Sequence, residues 1–331
     1  MDQNRRQHLR GLGAGAFAVA GLSMLALPVR AADAPFPSKA VTLIVPNAPG
    51  GAIDLLARLL ERQLNERWGQ PVLVVYKPGA GTVLGTDFVA KAAPDGYTLG
   101  LVVTSHVINP ALRPNMPFDT LNDLTGITQL ASSPIAISAR PGLPVQNLKQ
   151  LIDYARRNPG KLSYASPGSG SSMHLAAERL KTLAGIDLLH TPYKGSGGAY
   201  QDVFGERVDL IFDPLFSSLP HIKSGRMKAL AVISAQRSPI APELPTAAET
   251  LPGFVVDSIF GLVAPAATPA AVLARIHADV VQVLRTDAMK ARMAEVGLTP
   301  VGSSSAEFNA FIRADMARWA QVVKQAGVTL D

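Results

Sequence analysis

Cysteine is absent from the 331 residues. Neither a disulfide framework nor a lipid-modified cysteine is therefore available, and the fold rests on its apolar core. A long hydrophobic run is missing too: the stretch Leu12 to Leu27 is shorter than a membrane span requires, and nothing later in the chain approaches one. Basic residues do not cluster outside the N-terminus. Four arginines against one aspartate in residues 1–31 account for half of the net charge of +6. The remaining Lys and Arg are interspersed with acidic residues and make no aromatic-basic stripe, which argues against nucleic acid as a partner. The mildly positive remainder suits small anions. His106, His190 and His221 lack metal-ligand spacing and read as structural, and no His/Asp pair has a recognisable triad placement beside the serines.

What is present begins with an export signal. Residues 1–31 combine a charged start, a Gly/Ala-rich apolar middle and small residues Val29 and Ala31 before a cut at Ala32. Asn4-Arg5-Arg6-Gln7-His8-Leu9-Arg10 is similar to a twin-arginine signal, with ordinary secretory export as the alternative. The mature product is expected in the periplasm, not itself membrane-spanning and monomeric. Its roughly 300 residues suffice for two domains.

Two stretches share one grammar. In Val41 to Leu60 a β-branched run breaks at Pro46-Asn47-Ala48-Pro49-Gly50-Gly51 and a helix follows at once; Leu162 to Leu180 repeats the pattern around Ser166-Pro167-Gly168-Ser169-Gly170-Ser171. Glycines admit close approach of a ligand to the main chain, and the free N–H groups of a helix start favour an anion. The first loop lacks the Gly-Lys-Ser/Thr ending of a P-loop, and the second lacks the spacing of a nucleophile elbow. Gly79 to Gly85 approximates a dinucleotide fingerprint, but Pro78 and the missing acidic residue at the end of a next strand weaken an NAD(P)-dependent or serine-dependent enzyme as the rival reading.

Short apolar runs alternate with helical patterns, from Val41 to Val45 and Leu55 to Asn65 through Thr98 to Val103, and again from Ile135 to Ile233. Such alternation predicts a parallel α/β sheet. Helices are expected near Ala270 to Leu284, Asp287 to Glu295 and Ala306 to Gln325. Crossings near Ala131 to Ser138 and Pro252 to Gly261 divide the chain into lobe one, residues 32–134 plus 257–331, and lobe two, residues 135–256, with a hinge between them.

These segments resemble the Bug-type extracytoplasmic solute receptors of tripartite tricarboxylate transporters. The matching stretches are VPNAPGGAIDLLAR, PGAGTVLGTDFVAKAAPDGYTL, YASPGSGSSMHLAAERLKTLAGIDLLHTPYKGSGGAYQDVFGERVDLIFD, LPHIKSGRMKALAV, LPTAAETLPGF and GLVAPAATP, in that order over nearly the whole mature chain. The resemblance implies a two-lobed type II periplasmic binding fold with two crossovers at a hinge. It also implies a small carboxylate held by main-chain N–H groups and water from both loops, membrane subunits of a transporter as partner, and no cofactor or metal. A ligand sensor facing a signalling partner uses the same closure and stands as the alternative.

Carried onto this chain, the first jaw is Asn47, Ala48, Gly50, Gly51 and Asp54, and the second is Ser166, Gly168, Ser169, Gly170 and Ser171, with His174 close behind. Ser105, His106 and Ser133 fall where such proteins line the cleft; Tyr193 and Asp213 complete the set. Gly51 and Gly170 are the positions where a bare N–H is expected to hold the acid. Asp54 suits bracing of its loop as well as ligand contact, His174 suits capping or orienting the second loop, and Tyr193 and Asp213 suit turns as well as a cleft. The run Ser303 to Ser305 reads as the cap of the last helix. Three positions depart from the family pattern: an aromatic is common at Asn47, an asparagine at Tyr76, and a tryptophan around Ile259 and Phe260.

Overall fold

The computed structural model describes residues 36–328 except Gly51 and Lys194; the expected export segment and Gly51 lie outside the described residues. Strand β1 (Val41–Val45) leads through the first loop into α1 (Ala52–Trp68). That helix buries Ile53, Leu56, Ala57, Leu60, Leu64 and Trp68, a stripe at three- and four-residue spacing that sets it on the sheet. Then come β2 (Val72–Tyr76), α2 (Val83–Ala90), β3 (Thr98–Val103) and α3 (Ser105–Leu112). The long strand β4 (Leu124–Ala139) follows, then α4 (Leu148–Arg157), β5 (Ser163–Ser166), α5 (Ser172–Ala184), β6 (Leu189–Pro192), α6 (Ser196–Phe204), β7 (Leu210–Pro214), α7 (Leu215–Lys223) and β8 (Lys228–Val232). The chain returns through β9 (Asp257–Pro265) and closes with α8 (Ala270–Leu284), α9 (Asp287–Glu295), the short β10 (Thr299–Pro300) and α10 (Ser305–Ala326).

Strand β4 belongs to two sheets. Its first part, to Pro134, pairs with β9 alongside β3, β1 and β2; its second part, from Ile135, pairs with β7 and β8, with β5 and β6 beyond β7. The expectation of a parallel sheet is corrected here. Pairs β1/β2, β1/β3, β5/β6 and β5/β7 are parallel, but β4 and β9 run antiparallel to their neighbours. This two-lobed α/β arrangement was read correctly in class and incorrectly in strand direction, because periodicity reports burial and not orientation.

The directions have a consequence for position. β1 and β3 run the same way as β4, since two antiparallel steps through β9 restore direction, so their C-terminal ends point toward the middle of β4. β5, β6 and β7 run against β4, and Pro214 at the end of β7 pairs with Ile135. Both sets of strand ends therefore converge on Ser133 to Ala136. Helices α1, α3, α5, α6 and α7 each start just after one of these strands, which brings their N-termini, with positive dipole ends, to the same edge.

Candidate functional site

From the first sheet, the loop after β1 is held from below by Asp54. Its Oδ2 accepts the N–H of Gly50 at 2.8 Å, its Oδ1 accepts the hydroxyl of Tyr76 on β2, and the Arg58 guanidinium lies 3.6 Å from Oδ1. The Tyr76 hydroxyl is the main influence holding this carboxyl below its ordinary range. Asp54 thus braces the loop, and Tyr76 is its partner. Gly50 sits at φ 99°, a left-handed conformation that side chains resist, which accounts for glycine there. Ala48 is exposed.

Thr104 and Ser105 open α3 beside β9. Thr104 Oγ1 accepts the N–H of Ile259 at 3.0 Å, and Ser105 Oγ lies 2.7 Å from Thr82 Oγ1. His106, 3% exposed, has both ring nitrogens buried without a hydrogen-bond partner among the described residues. Burial pushes its pKa down to about 4, so it is neutral at neutral pH. Asn47 Oδ1 and Ser258 Oγ are buried and unpartnered in the same way. Ser133, paired in register with Ser258, is fully buried and donates to the carbonyl of Gly297 at 3.3 Å.

The second loop follows β5. Ser171 caps α5, accepting the N–H of His174 at 3.2 Å, and donates to the carbonyl of Gly168 at 2.7 Å. Ser166 Oγ accepts from the N–H of Gly168 at 3.3 Å and meets His190 Nε2 at 2.7 Å. Gly170, at φ 75°, donates its N–H to His174 Nδ1 at 3.0 Å. The expectation that this N–H is bare for a ligand is thereby corrected: a buried imidazole four residues on is the nearer acceptor. Ser169 is exposed at the tip, with no hydrogen bond among the described residues.

Tyr193 and Asp213 turn inward. The Tyr193 hydroxyl donates to Asp202 on α6 at 2.6 Å, and burial raises its pKa to about 12. Asp213, fully buried, accepts from Ser196 at 2.6 Å and Tyr200 at 2.5 Å, fixing the start of α6; burial pushes its carboxyl up to about 6. Register places it opposite Ala136, at the convergence of strand ends. Sequence reading missed Ser258, Ser196, Tyr200 and the partnership of His190, none of which has a local motif; only the register of β9 and the parallel ends of β6 and β7 bring them in.

The dinucleotide-like run has another explanation. A Cβ on Gly85 would lie 2.8 Å from the Lys77 carbonyl oxygen and 2.9 Å from Pro46 Cα, so this glycine lets α2 pack against the root of the first loop. Among the described residues no His/Cys/Asp/Glu group is arranged to hold a metal, and no helix is long and apolar enough to cross a membrane.

Comparison with known proteins agrees with this architecture. Protein BugT of Bordetella pertussis is 36% identical over 311 residues, 92% of this chain and 94% of that protein. The R. palustris protein Rpa4515, solved with adipate, superposes with a TM-score of 0.79 at 34% identity, covering 89% of this chain and 99% of the other. MatC from Rhodopseudomonas palustris, solved with bound malate, gives 0.74 at 31% identity, covering 87% and 100%. Residues 56–328 match the tripartite tricarboxylate transporter family receptor, and the chain belongs to that family of solute-binding receptors, not to an enzyme family.

Proposed function

We propose that this chain is a periplasmic receptor that captures a small carboxylate between its lobes and delivers it to the membrane subunits of a tripartite tricarboxylate-type transporter. The observation that carries the reading is the set of buried polar atoms without partners at one sheet edge: Asn47 Oδ1, both nitrogens of His106, and Ser258 Oγ. Buried polar groups are nearly always hydrogen-bonded, and a polar solute at this edge supplies what the protein does not. The N-termini of five helices favour a negative charge there. The relatives solved with adipate and with malate are in keeping with a dicarboxylate.

Lobe one comprises residues 32–134 plus 257–331, lobe two residues 135–256, and the change of sheet at Pro134 and Ile135 supports a hinge at that level. Residues 1–31 direct export and are removed, and the mature receptor works as a monomer. Loop N–H groups and water contribute to the acid's cradle alongside the orphaned side chains. Melting scans of residues 32–331 against di- and tricarboxylates, acidic amino acids and aromatic acids test the proposal. A matching acid at about 100 times its Kd contributes roughly 2.7 kcal/mol and is recovered intact. No shift with any acid, or consumption of the acid, overturns it.

A further inference from the structure

We propose that His174 and His190 act as a stacked pair of positioning residues that sets the shape of the second loop and releases it in acid; this rests on reading that loop as one jaw of the capture site. The two imidazoles lie face to face, centroids 3.9 Å apart and planes 7° from parallel. One ring reaches each end of the turn. His190 Nε2 meets Ser166 Oγ at 2.7 Å, where Ser166 also takes the Gly168 N–H, and His174 Nδ1 takes the Gly170 N–H at 3.0 Å. Tyr164 lies over His190 at 4.8 Å and ties its hydroxyl to Glu178 at 2.6 Å, so the pair rests on a fixed floor.

The arrangement requires an unprotonated Nδ1 on His174. A second proton there would set N–H against the Gly170 N–H, and two charged rings at 3.9 Å would repel. The charged groups facing the pair are Glu178 and Lys181 on α5, which bond to each other at 3.0 Å, with the Tyr164 hydroxyl from β5. Burial lowers the pKa of both rings, that of His190 to about 4 with the neighbouring His174 and Lys181 adding to the effect. The sign follows from the lowered values. The stabilisation of the loop is fully present above the ordinary histidine pKa of about 6.5 and is lost as pH falls through the depressed values. A ring that merely filled space would leave the Gly170 amide indifferent to pH.

Amide exchange at Gly170 in the ligand-free protein tests this without any acid being known. His174→Ala is expected to speed exchange, corrected for its intrinsic pH dependence, by roughly two- to tenfold at pH 7.5. His174→Asn, whose Oδ1 can stand in for Nδ1, restores most of the protection. Wild-type protection falls between pH 6.5 and pH 4, while His174→Asn/His190→Gln has a flatter profile, and the nitrogen shift of His174 Nδ1 reports an unprotonated acceptor at pH 7.5. Exchange unchanged in His174→Ala, a flat wild-type profile, or a protonated Nδ1 at pH 7.5 each overturns the proposal. Adipate binding is read in parallel: exchange that behaves as expected supports the pair even if adipate does not bind, and only the carboxylate assignment then fails.

Discussion

The hydroxyl of Tyr76 donates to Oδ1 of Asp54, and this contact joins edge strand β2 to the loop after β1. The other oxygen of Asp54 holds the Gly50 N–H, so the loop, the first turn of α1 and the end of β2 meet at one carboxylate. Tyr76→Phe keeps the ring beneath Arg58 and removes only the donor. It is expected to destabilise the protein by about 0.5–1.5 kcal/mol in urea titration and to raise the Asp54 pKa. Unchanged stability together with an unchanged Asp54 titration would remove the brace from the account.

Asp213 gives a pH dependence of definite sign. Its carboxyl is raised to about 6 by burial, above the ordinary value for aspartate in an unfolded chain. The folded state therefore binds the extra proton between about 4 and 6, and the stability linked to this group is present below that window and lost as pH rises through it. Asp213→Asn removes the titration and keeps groups that can pair with Ser196 and Tyr200. The difference in melting temperature, variant minus wild type, should grow from pH 4 to pH 6.5. A constant difference across that range contradicts the raised value.

Closure supplies a third expectation. If an acid bridges both jaws, it binds the closed arrangement better and shifts the population toward it. Small-angle scattering of residues 32–331 should give a smaller radius of gyration with the acid found by melting scans than without it. An unchanged radius at saturation counts against the hinge at Pro134 and Ile135.

Much of the fold was legible because strong local signals agreed. The β-branched run Val41 to Val45, the stripe on α1 and the cap of the last helix at Ser304 are each short-range features. What was not legible depended on pairing. β4 reads poorly as a strand because Thr125, Thr128, Gln129, Ser132, Ser133 and Pro134 interrupt its apolar pattern; flanked on both sides, it is instead recognised by its partners. α3 and α7 carry Pro110 and Pro220 inside them, which conceals a helix from a periodicity reading. The site divided likewise. Its loops announced themselves by glycine and serine, but the protein partners of Asp54, His174, Tyr193 and Asp213, namely Tyr76, Gly170, Asp202 and Ser196, were not assigned to them by sequence spacing.

If the unpartnered polar atoms at the convergence of strand ends are there for a solute, paired stability and binding measurements on Ser258→Ala and Asn47→Leu will show it. A buried hydroxyl or amide without a partner costs about 1–3 kcal/mol. Each variant should therefore melt at or above the wild-type temperature without ligand, yet bind the acid identified by melting scans more weakly, by roughly two- to tenfold for the loss of one hydrogen bond. Variants that bind that acid as tightly as wild type, or that lose stability without ligand, would show that these atoms serve the fold and not the solute.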